Sequence, residues 1–507
     1  MAITSVPAAG ITPAPTKQAL QENYIDFANA GANSANWAQQ YLPDLMEKEA
    51  EVFGNRTISG FLSQVGAEEA MTSDQVVWSE QGRLHLSYTA TVVGVGDANG
   101  TLAITADIDG DTTVGSTTSR THAIRVNDTV LIAQAGVVVK ALVVETPDSN
   151  VVSVEPYAAA TLTAAGLSDA AATVLVIGSE YGKGQAYSDI TGTFSSDRRE
   201  AIEPTFKHFD NKPIIMKDYY EVSGSDASQV GWVEVSGEEG QSGYMWYLKA
   251  EGDTRARFTD YLEMSMIEAE KTVANSAIGF ANQQIRGAAD SGAGGSGTEG
   301  LFAAIESRGN VTSGVTGVNA ATDLAEFDAI LAEFDKQGAI EENMMFVNRA
   351  TSLAMDDMLA SMNSYGAGGT SYGVFNNSED MALNLGFTGF RRGSYDFYKS
   401  DFKYLNDSST RGLINGTDGV NAIHGVMIPA GVSSVYDQNL GKNLKRPFLH
   451  VRYRASQMES RKYKTWTTGS VGATTSDLDA MEMHFLSERC LVVQGANNFF
   501  LLKGTDA

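Results

Sequence analysis

The sequence predicts an α+β protein with a small all-β module set into a long extended loop. Three observations carry this. From about Thr89 to Ile177, short Val-, Ile- and Thr-rich runs alternate with turn residues (TLAITA, DTVLIA, VVVKALVVET, NVVSVE, TVLVI), the texture of an all-β module. Within residues 243–285, Phe258, Leu262, Met266, Ala269, Val273, Ala277 and Phe280 recur at steps of three and four, one apolar helical stripe. From there to about residue 450, strand-like and helix-like segments alternate, as in a compact α/β domain.

Taken in order, residues 1–75 open with a Pro-containing arm, Pro7 to Pro15, followed by helical patches. Such an arm has little to bury alone and is expected to lie along another surface. QVVWSEQGRLHLSYTA reads as a strand pair. The β module follows, with three basic residues (Arg120, Arg125, Lys140) against nine acidic ones, net -6. Residues 178–242 return to Gly-punctuated extended chain, so the module sits between matching extended arms. Unbroken, the helix of residues 243–285 would reach about 60 Å, with Gly252-Asp253 a candidate kink and SGAGGSG its end. ATDLAEFDAILAEF is amphipathic through Leu324, Phe327, Leu331 and Phe334, with Asp323 and Glu326 as a capping-box-like start. MMFVN reads as a strand, RATSLAMDDMLASM as a helix, and residues 451–507 as strands returning to the body. The helix stripe is expected to pack on a sheet holding the strands near Leu491–Val493 and Phe499–Leu502.

Charge and composition narrow the function. Lys plus Arg number 36 against 62 Asp plus Glu, net -26, which counts against a protein whose main task is gripping nucleic acid. The single cysteine, Cys490, excludes an intramolecular disulfide. The start MAITSVPAAGITPAP lacks a basic then apolar signal pattern, and no stretch nears the roughly 18 apolar residues of a membrane span. No membrane association is expected.

Several motif matches do not hold. Gly292 to Gly297 fits G-x-G-x-x-G, but it follows a helix where a dinucleotide fingerprint needs a preceding strand. Gly369-Thr370-Ser371-Tyr372-Gly373 fits the nucleophile elbow without the strand that would present Ser371. Asp107, Asp109 and Asp111 open like a calcium loop, yet Thr112 and Thr118 stand where Gly and Glu are required. The six histidines, His85, His122, His208, His424, His450 and His484, show no metal-ligand spacing. No catalytic residue, cofactor or metal site is expected.

The one basic cluster runs from Lys442 to Lys464 and holds Lys445, Arg446, Arg452, Arg454, Arg461 and Lys462. In so acidic a chain it reads as a strip meeting an acidic surface on a neighbouring subunit. Lys183, Arg198 and Arg199 are further candidates for contact between subunits. Reversing Arg454 to Glu is expected to impair association while sparing the fold.

The order of parts resembles the HK97 fold of tailed-bacteriophage major capsid proteins. VVWSEQGRLHLSYTA, KPIIMKDYYEVSGSDASQVGWVEV, MMFVNRATSLAMDDML and LSERCLVVQGANNFFLL resemble segments of the crAss-like phage group, and the Glu488-Arg489 pair before an apolar strand resembles the general capsid-family ending. The resemblance implies residues 1–75 as N-arm, 76–88 and 178–242 as the two parts of the E-loop, and 89–177 as an all-β insertion domain. It further implies 243–318 as P-domain with spine helix, 319–450 as A-domain, and 451–507 as C-terminal P-domain strands. A structural, non-enzymatic protein follows: a homo-oligomer of hexamers and pentamers in an icosahedral virion shell around double-stranded DNA, without sequence-specific binding. It would assemble in the bacterial host cytoplasm with portal, scaffold and auxiliary or decoration proteins. Some members crosslink an E-loop Lys to a neighbour's Asn; Lys183 lies in the right region, but no string fixes its partner. An encapsulin-type compartment, a serine hydrolase built on Ser371 and a secreted adhesin are the competing readings.

Overall fold

The structure, a computed structural model, describes residues 60–62, 67–80, 85–96, 100–108, 110–118, 122–184, 207–225, 234–236, 242–273, 297–313, 320–338, 340–363, 389–415, 422–430, 432–437, 442–470 and 475–504. Expectations for the N-terminal arm up to residue 59, Arg198, Arg199, Ala277, Phe280 and Gly369 to Gly373 lie outside these residues.

Strands β1 (Ala67–Met71) and β2 (Val76–Glu80) come first. β2 pairs antiparallel with β9 (Lys207–Asn211), Trp78 opposite Phe209, as a two-stranded ribbon. The expected pairing within residues 76–90 is therefore corrected. Val76–Glu80 finds a partner some 130 residues on in β9, and Ser87 onward belongs to a different sheet.

Between the ribbon strands lies a closed barrel of β3 (Ser87–Val93), β4 (Gly100–Asp107), β5 (Asp128–Gln134), β6 (Val137–Glu145), β7 (Val151–Pro156) and β8 (Ala171–Ser179). Its order is β3-β4-β7-β6-β5-β8. The period-2 alternation drives closure: in β5 every second residue is buried, Val130 and Ile132 fully so. Leu102, Ile104, Val143, Val152, Val154 and Val174 complete an aliphatic core, and closure leaves the barrel strands no free edge. The two-residue turn Ala135-Gly136, both at positive φ, makes the tight β5–β6 hairpin.

Next come β10 (Ile214–Ser223), the hairpin β11 (Glu234–Ser236) with β12 (Ser242–Tyr244), and helix α1 (Met245–Glu268). α1 runs through Gly252-Asp253 without a break in the helix. It also ends earlier than its stripe predicts: Ala269 to Val273 are not helical, and Val273 is 69% exposed. The cause is the segment that covers its end. Gly300 N donates to the Ala269 carbonyl, and a Cβ at Gly300 would stand 2.7 Å from Ala269 N. Only glycine permits that approach, in which the amide of Gly300, just before α2 (Leu301–Arg308), satisfies the Ala269 carbonyl just past the end of α1.

The rest alternates as expected: β13 (Asn310–Ser313), α3 (Ala320–Gln337), β14 (Glu342–Val347), α4 (Arg349–Asn363), β15 (Gly389–Arg392) and β16 (Tyr395–Asp401). Short helices α5 (Lys403–Asn406) and α6 (Arg411–Asn415) lead to β17 (Ile423–Pro429) and the hairpin β18 (Val432–Asp437) with β19 (Lys442–Pro447). The chain closes with β20 (Leu449–Arg454), β21 (Lys464–Gly469), β22 (Ala480–Val493) and β23 (Phe500–Lys503). α3 begins three residues before Asp323, so that residue lies inside the helix and not at its cap.

Among the described residues, a six-stranded sheet has the order β13-β23-β17-β14-β16-β15. Phe327, Ile330 and Phe334 of α3 pack on it with Phe390, Phe397, Met427 and Phe500. A five-stranded sheet has the order β1-β20-β22-β10, with β21 also on β22. The two C-terminal strands thus enter different sheets, which corrects the expectation of one. Phe258, Leu262 and Met266 are buried as predicted, and Phe258 meets Tyr463 and Phe485 at ring distances of 5.5 and 6.0 Å. The described chain divides into two compact units. One comprises Tyr219–Arg257 and Thr467–Met483; the other runs from Ser59 to Asp218, Phe258 to Trp466 and His484 to Ala507. In the first, Gly224 N donates to the Asp479 carbonyl and Thr468 Oγ1 to Glu482 at 2.8 Å.

Candidate functional site

The cationic strip is built on β20 and the turn that follows. β1 pairs with β20 in parallel, placing Glu69 in register with Arg452. Arg452 Nη2 meets Glu69 Oε2 at 2.9 Å, and Lys462 pairs with Glu68. Arg454 pairs with Asp74 and, at 3.3 Å, with Glu488, whose other oxygen takes Arg461 Nε at 2.6 Å. Lys464 meets Glu459 at 2.5 Å. Arg452, Arg454, Arg461, Lys462 and Lys464 each therefore have an acidic partner within the same chain. Sequence reading looked elsewhere because Asp74 lies 380 positions from Arg454. Lys442, Lys445 and Arg446 lie on β19, paired with β18. Lys183 is exposed in the turn after β8.

Beneath the strip, Arg489 is buried and donates from Nη2 to the Lys462 carbonyl and from Nε to Ser487 Oγ, both at 2.9 Å. Burial lowers its pKa, opposed by Glu68 and Glu263. Glu263 on α1 accepts the backbone N–H of Gly60 at 3.3 Å and of Leu62 at 3.1 Å. Burial raises the Glu263 carboxyl above its ordinary value, more than those two hydrogen bonds lower it. Between them Phe61 lies against Phe346 and Phe402, at 4.7 and 4.6 Å. A carboxylate and an aromatic slot thus hold residues 60–62 to the body.

The foot of the ribbon is the second constellation. The Arg308 guanidinium lies 4.5 Å over Phe209 and 5.6 Å over Trp78, and pairs with Glu299 at 2.5 Å. Glu80 Oε1 accepts from Trp78 Nε1 at 3.0 Å and from Gly495 N at 2.9 Å. Asn211, 1% exposed, donates to the carbonyls of Glu299 and Leu491, and its Oδ1 accepts from Glu299 N, Lys212 N and Thr298 Oγ1. Lys271 donates to the Asp210 carbonyl. Burial pushes the Asp210 carboxyl up, but Gln75 and Lys271 together hold it below its usual value. Sequence reading missed Arg308, Glu299, Asn211, Glu80 and Glu263. Their partners are remote, and only the aromatic pair Trp78 and Phe209 in matched extended runs hints at a packed foot.

Those residues of the dismissed motifs that are described have ordinary structural roles. Gly297 is left-handed, and a Cβ there would meet the Glu270 carbonyl at 2.8 Å. Asp111 accepts from Thr113 N as the cap of a short 3-10 turn, and Asp107 accepts from Ile108 N. His424 Nδ1 lies 3.1 Å from Asn348 Nδ2, and burial lowers its pKa. Cys490 is buried and its thiol is pushed up to about 12 by that burial. Among the described residues, no group of three or more His, Cys, Asp and Glu could hold a metal ion, and no helix is long and apolar enough to cross a membrane.

No protein-family model matches the chain, and no curated protein matches it. Solved structures do. A chain from Microbacterium phage Oxtober96 aligns at 9% identity and a TM-score of 0.35, covering 94% of this chain and 99% of that one. A chain from Mycobacterium phage Ogopogo aligns at 12% and 0.31, covering 62% and 83%. A chain from the capsid structure of the cyanophage P-SCSP1u aligns at 8% and 0.30, covering 62% and 81%.

Proposed function

We propose that this chain is the major capsid protein of a tailed bacteriophage with the HK97 fold, resembling the crAss-like group. In this reading it is a structural protein that associates as hexamers and pentamers into an icosahedral shell around double-stranded DNA, with portal, scaffold and auxiliary proteins as partners. The insertion domain, expected over residues 89–177, is the β barrel, whose strands run from Ser87 to Ser179, carried by the E-loop ribbon of β2 and β9.

The observation that carries the reading is the ribbon itself. It is two strands wide, it brackets a closed barrel, and it is fastened at its foot by Arg308, Glu80 and Asn211. A two-stranded ribbon is marginal alone in water and has hydrogen-bonding edges that seek partners. The foot's contacts stabilise the ribbon against the body, which fits a ribbon presented to another copy. The resembling strings run from residue 76 to the C-terminus and suggest the same family.

The test is the composition of native particles from producing cells. This chain should be their most abundant protein, and they should hold nuclease-resistant double-stranded DNA. Particles of this chain filled with a cargo enzyme and free of DNA would assign it to an encapsulin-type compartment. Absence of the chain from any particle would reject a shell role.

A further inference from the structure

Asn348, between β14 and α4, serves two elements with one side-chain amide. Its Oδ1 accepts from Thr351 N at 2.8 Å and so caps the first turn of α4. That bond fixes the amide's orientation and leaves Nδ2 facing His424 Nδ1 on β17, 3.1 Å away. An amide nitrogen only donates, so His424 Nδ1 accepts, and the imidazole is neutral with its proton on Nε2. The backbone holds the pair together. Asn348 N donates to the His424 carbonyl at 2.7 Å, and the Asn348 carbonyl accepts from Ser352 N at 2.9 Å. Asn348, Thr351 and Ser352 are all buried, so water is poorly placed to replace a bond lost at this turn.

A proton on His424 conflicts with this arrangement. Protonated Nδ1 becomes a donor and faces the donor Nδ2 of Asn348. If the amide turns over, Oδ1 meets Nδ1–H, but Nδ2 then faces Thr351 N and α4 loses its cap. Asn348 satisfies the charged imidazole or the helix, and not both. The N-terminus of α4 also disfavours the added charge. The charged groups on the elements around His424 are engaged elsewhere: Arg349 with Asp401, Lys399 with Asp356, Lys503 on β23 with Glu306, and Lys403 on α5 with Asp407. Burial lowers the imidazole's pKa. The capped turn therefore holds fewer protons than a loosened one, and acid favours loosening. The change has a route onward. The Ser352 carbonyl accepts from Lys399 Nζ on β16 at 3.0 Å, and Arg349 N donates to Asn406 Oδ1 at 2.7 Å.

We propose that His424 and Asn348 form an acid-sensitive latch on the first turn of α4, in which protonation of His424 draws the Asn348 amide away from Thr351 and loosens residues 348–352. The latch is a property of the folded chain and stands apart from the shell-building reading. Hydrogen exchange of the full chain, read by mass spectrometry on peptides spanning residues 348–356 and corrected for the intrinsic effect of pH, tests it. From about pH 7.5 to about pH 4.5, exchange at Thr351 and Ser352 speeds about tenfold or more, while Val130 and Ile132 in the barrel stay protected. His424→Asn puts a side-chain oxygen in place of Nδ1 and takes no proton, so its turn stays protected throughout. Asn348→Asp caps α4 with one oxygen and accepts from protonated Nδ1 with the other, so its turn also stays protected in acid. Unchanged protection in the native chain across that range overturns the latch. A loss that spreads equally to the barrel is general acid unfolding and overturns it too, as does a loss of native size in both variants.

Discussion

Asn211 Nδ2 donates to the Leu491 carbonyl at 2.6 Å, tying the last residue of a ribbon strand to β22, the longest strand of the five-stranded sheet. The same amide also bonds Glu299 through both its oxygen and its nitrogen. Replacing Asn211 by Ala leaves several buried backbone groups without partners, which costs about 2–3 kcal/mol. Urea unfolding should show the loss. An unchanged midpoint would mean the foot is not a fastening.

Arg308 joins that foot by stacking on two aromatic rings while pairing with Glu299. Lysine keeps the charge but loses the planar face and the fork of donors. Arg308→Lys should therefore cost about 1–2 kcal/mol and shift Trp78 fluorescence. If Lys restores full stability, charge alone holds the ribbon.

Glu263 gives a pH prediction. Its folded pKa is raised above the ordinary 4.5, with burial the largest cause. A raised carboxyl contributes stability that is fully present below its unfolded value and is lost as pH rises through the folded value. Glu263→Gln removes that loss and keeps an acceptor for one of the two N–H groups, Gly60 or Leu62, at a cost that does not vary with pH. The difference in stability, variant minus native chain, should rise from about pH 4 to about pH 8 in urea titrations. A difference that is flat or falls across that range would contradict the account.

The barrel's core is formed by its own strands. A fragment of residues 85–184 should fold alone and unfold cooperatively, since about 100 residues around one closed core suffice for a domain. Val130→Ala, at a fully buried position, should lower its stability by about 1–3 kcal/mol. A fragment lacking dispersed amide resonances would show that the barrel depends on the rest of the chain.

Elements with their own local pattern were legible. The Val/Thr alternation of residues 89–177 marks the barrel strands, and the stripe through Phe327 and Phe334 marks α3 and its buried face. Pairings set by remote partners were not. Nothing near Val76 indicates Asn211 as its opposite, and nothing near Arg454 indicates Asp74. The end of α1 was hidden for a related reason. Its stripe continues through Ala269 and Val273, but Gly300, some thirty residues on, takes the Ala269 carbonyl at the close approach that glycine alone permits. Charge was legible as a sum, but the partners of Arg452, Arg454, Arg461 and Lys462 within the chain, on β1, at Asp74 and at Glu488, were not.

The most direct test of the account is electron microscopy of the purified full-length chain as its concentration is raised, with light scattering to follow mass. A shell subunit should form closed particles of uniform diameter, with far more surface buried per copy than the roughly 1,600 Å² of a standard pairwise complex. A monodisperse, fully folded monomer that persists as the native species at every concentration, with no closed particle in native material, would contradict it.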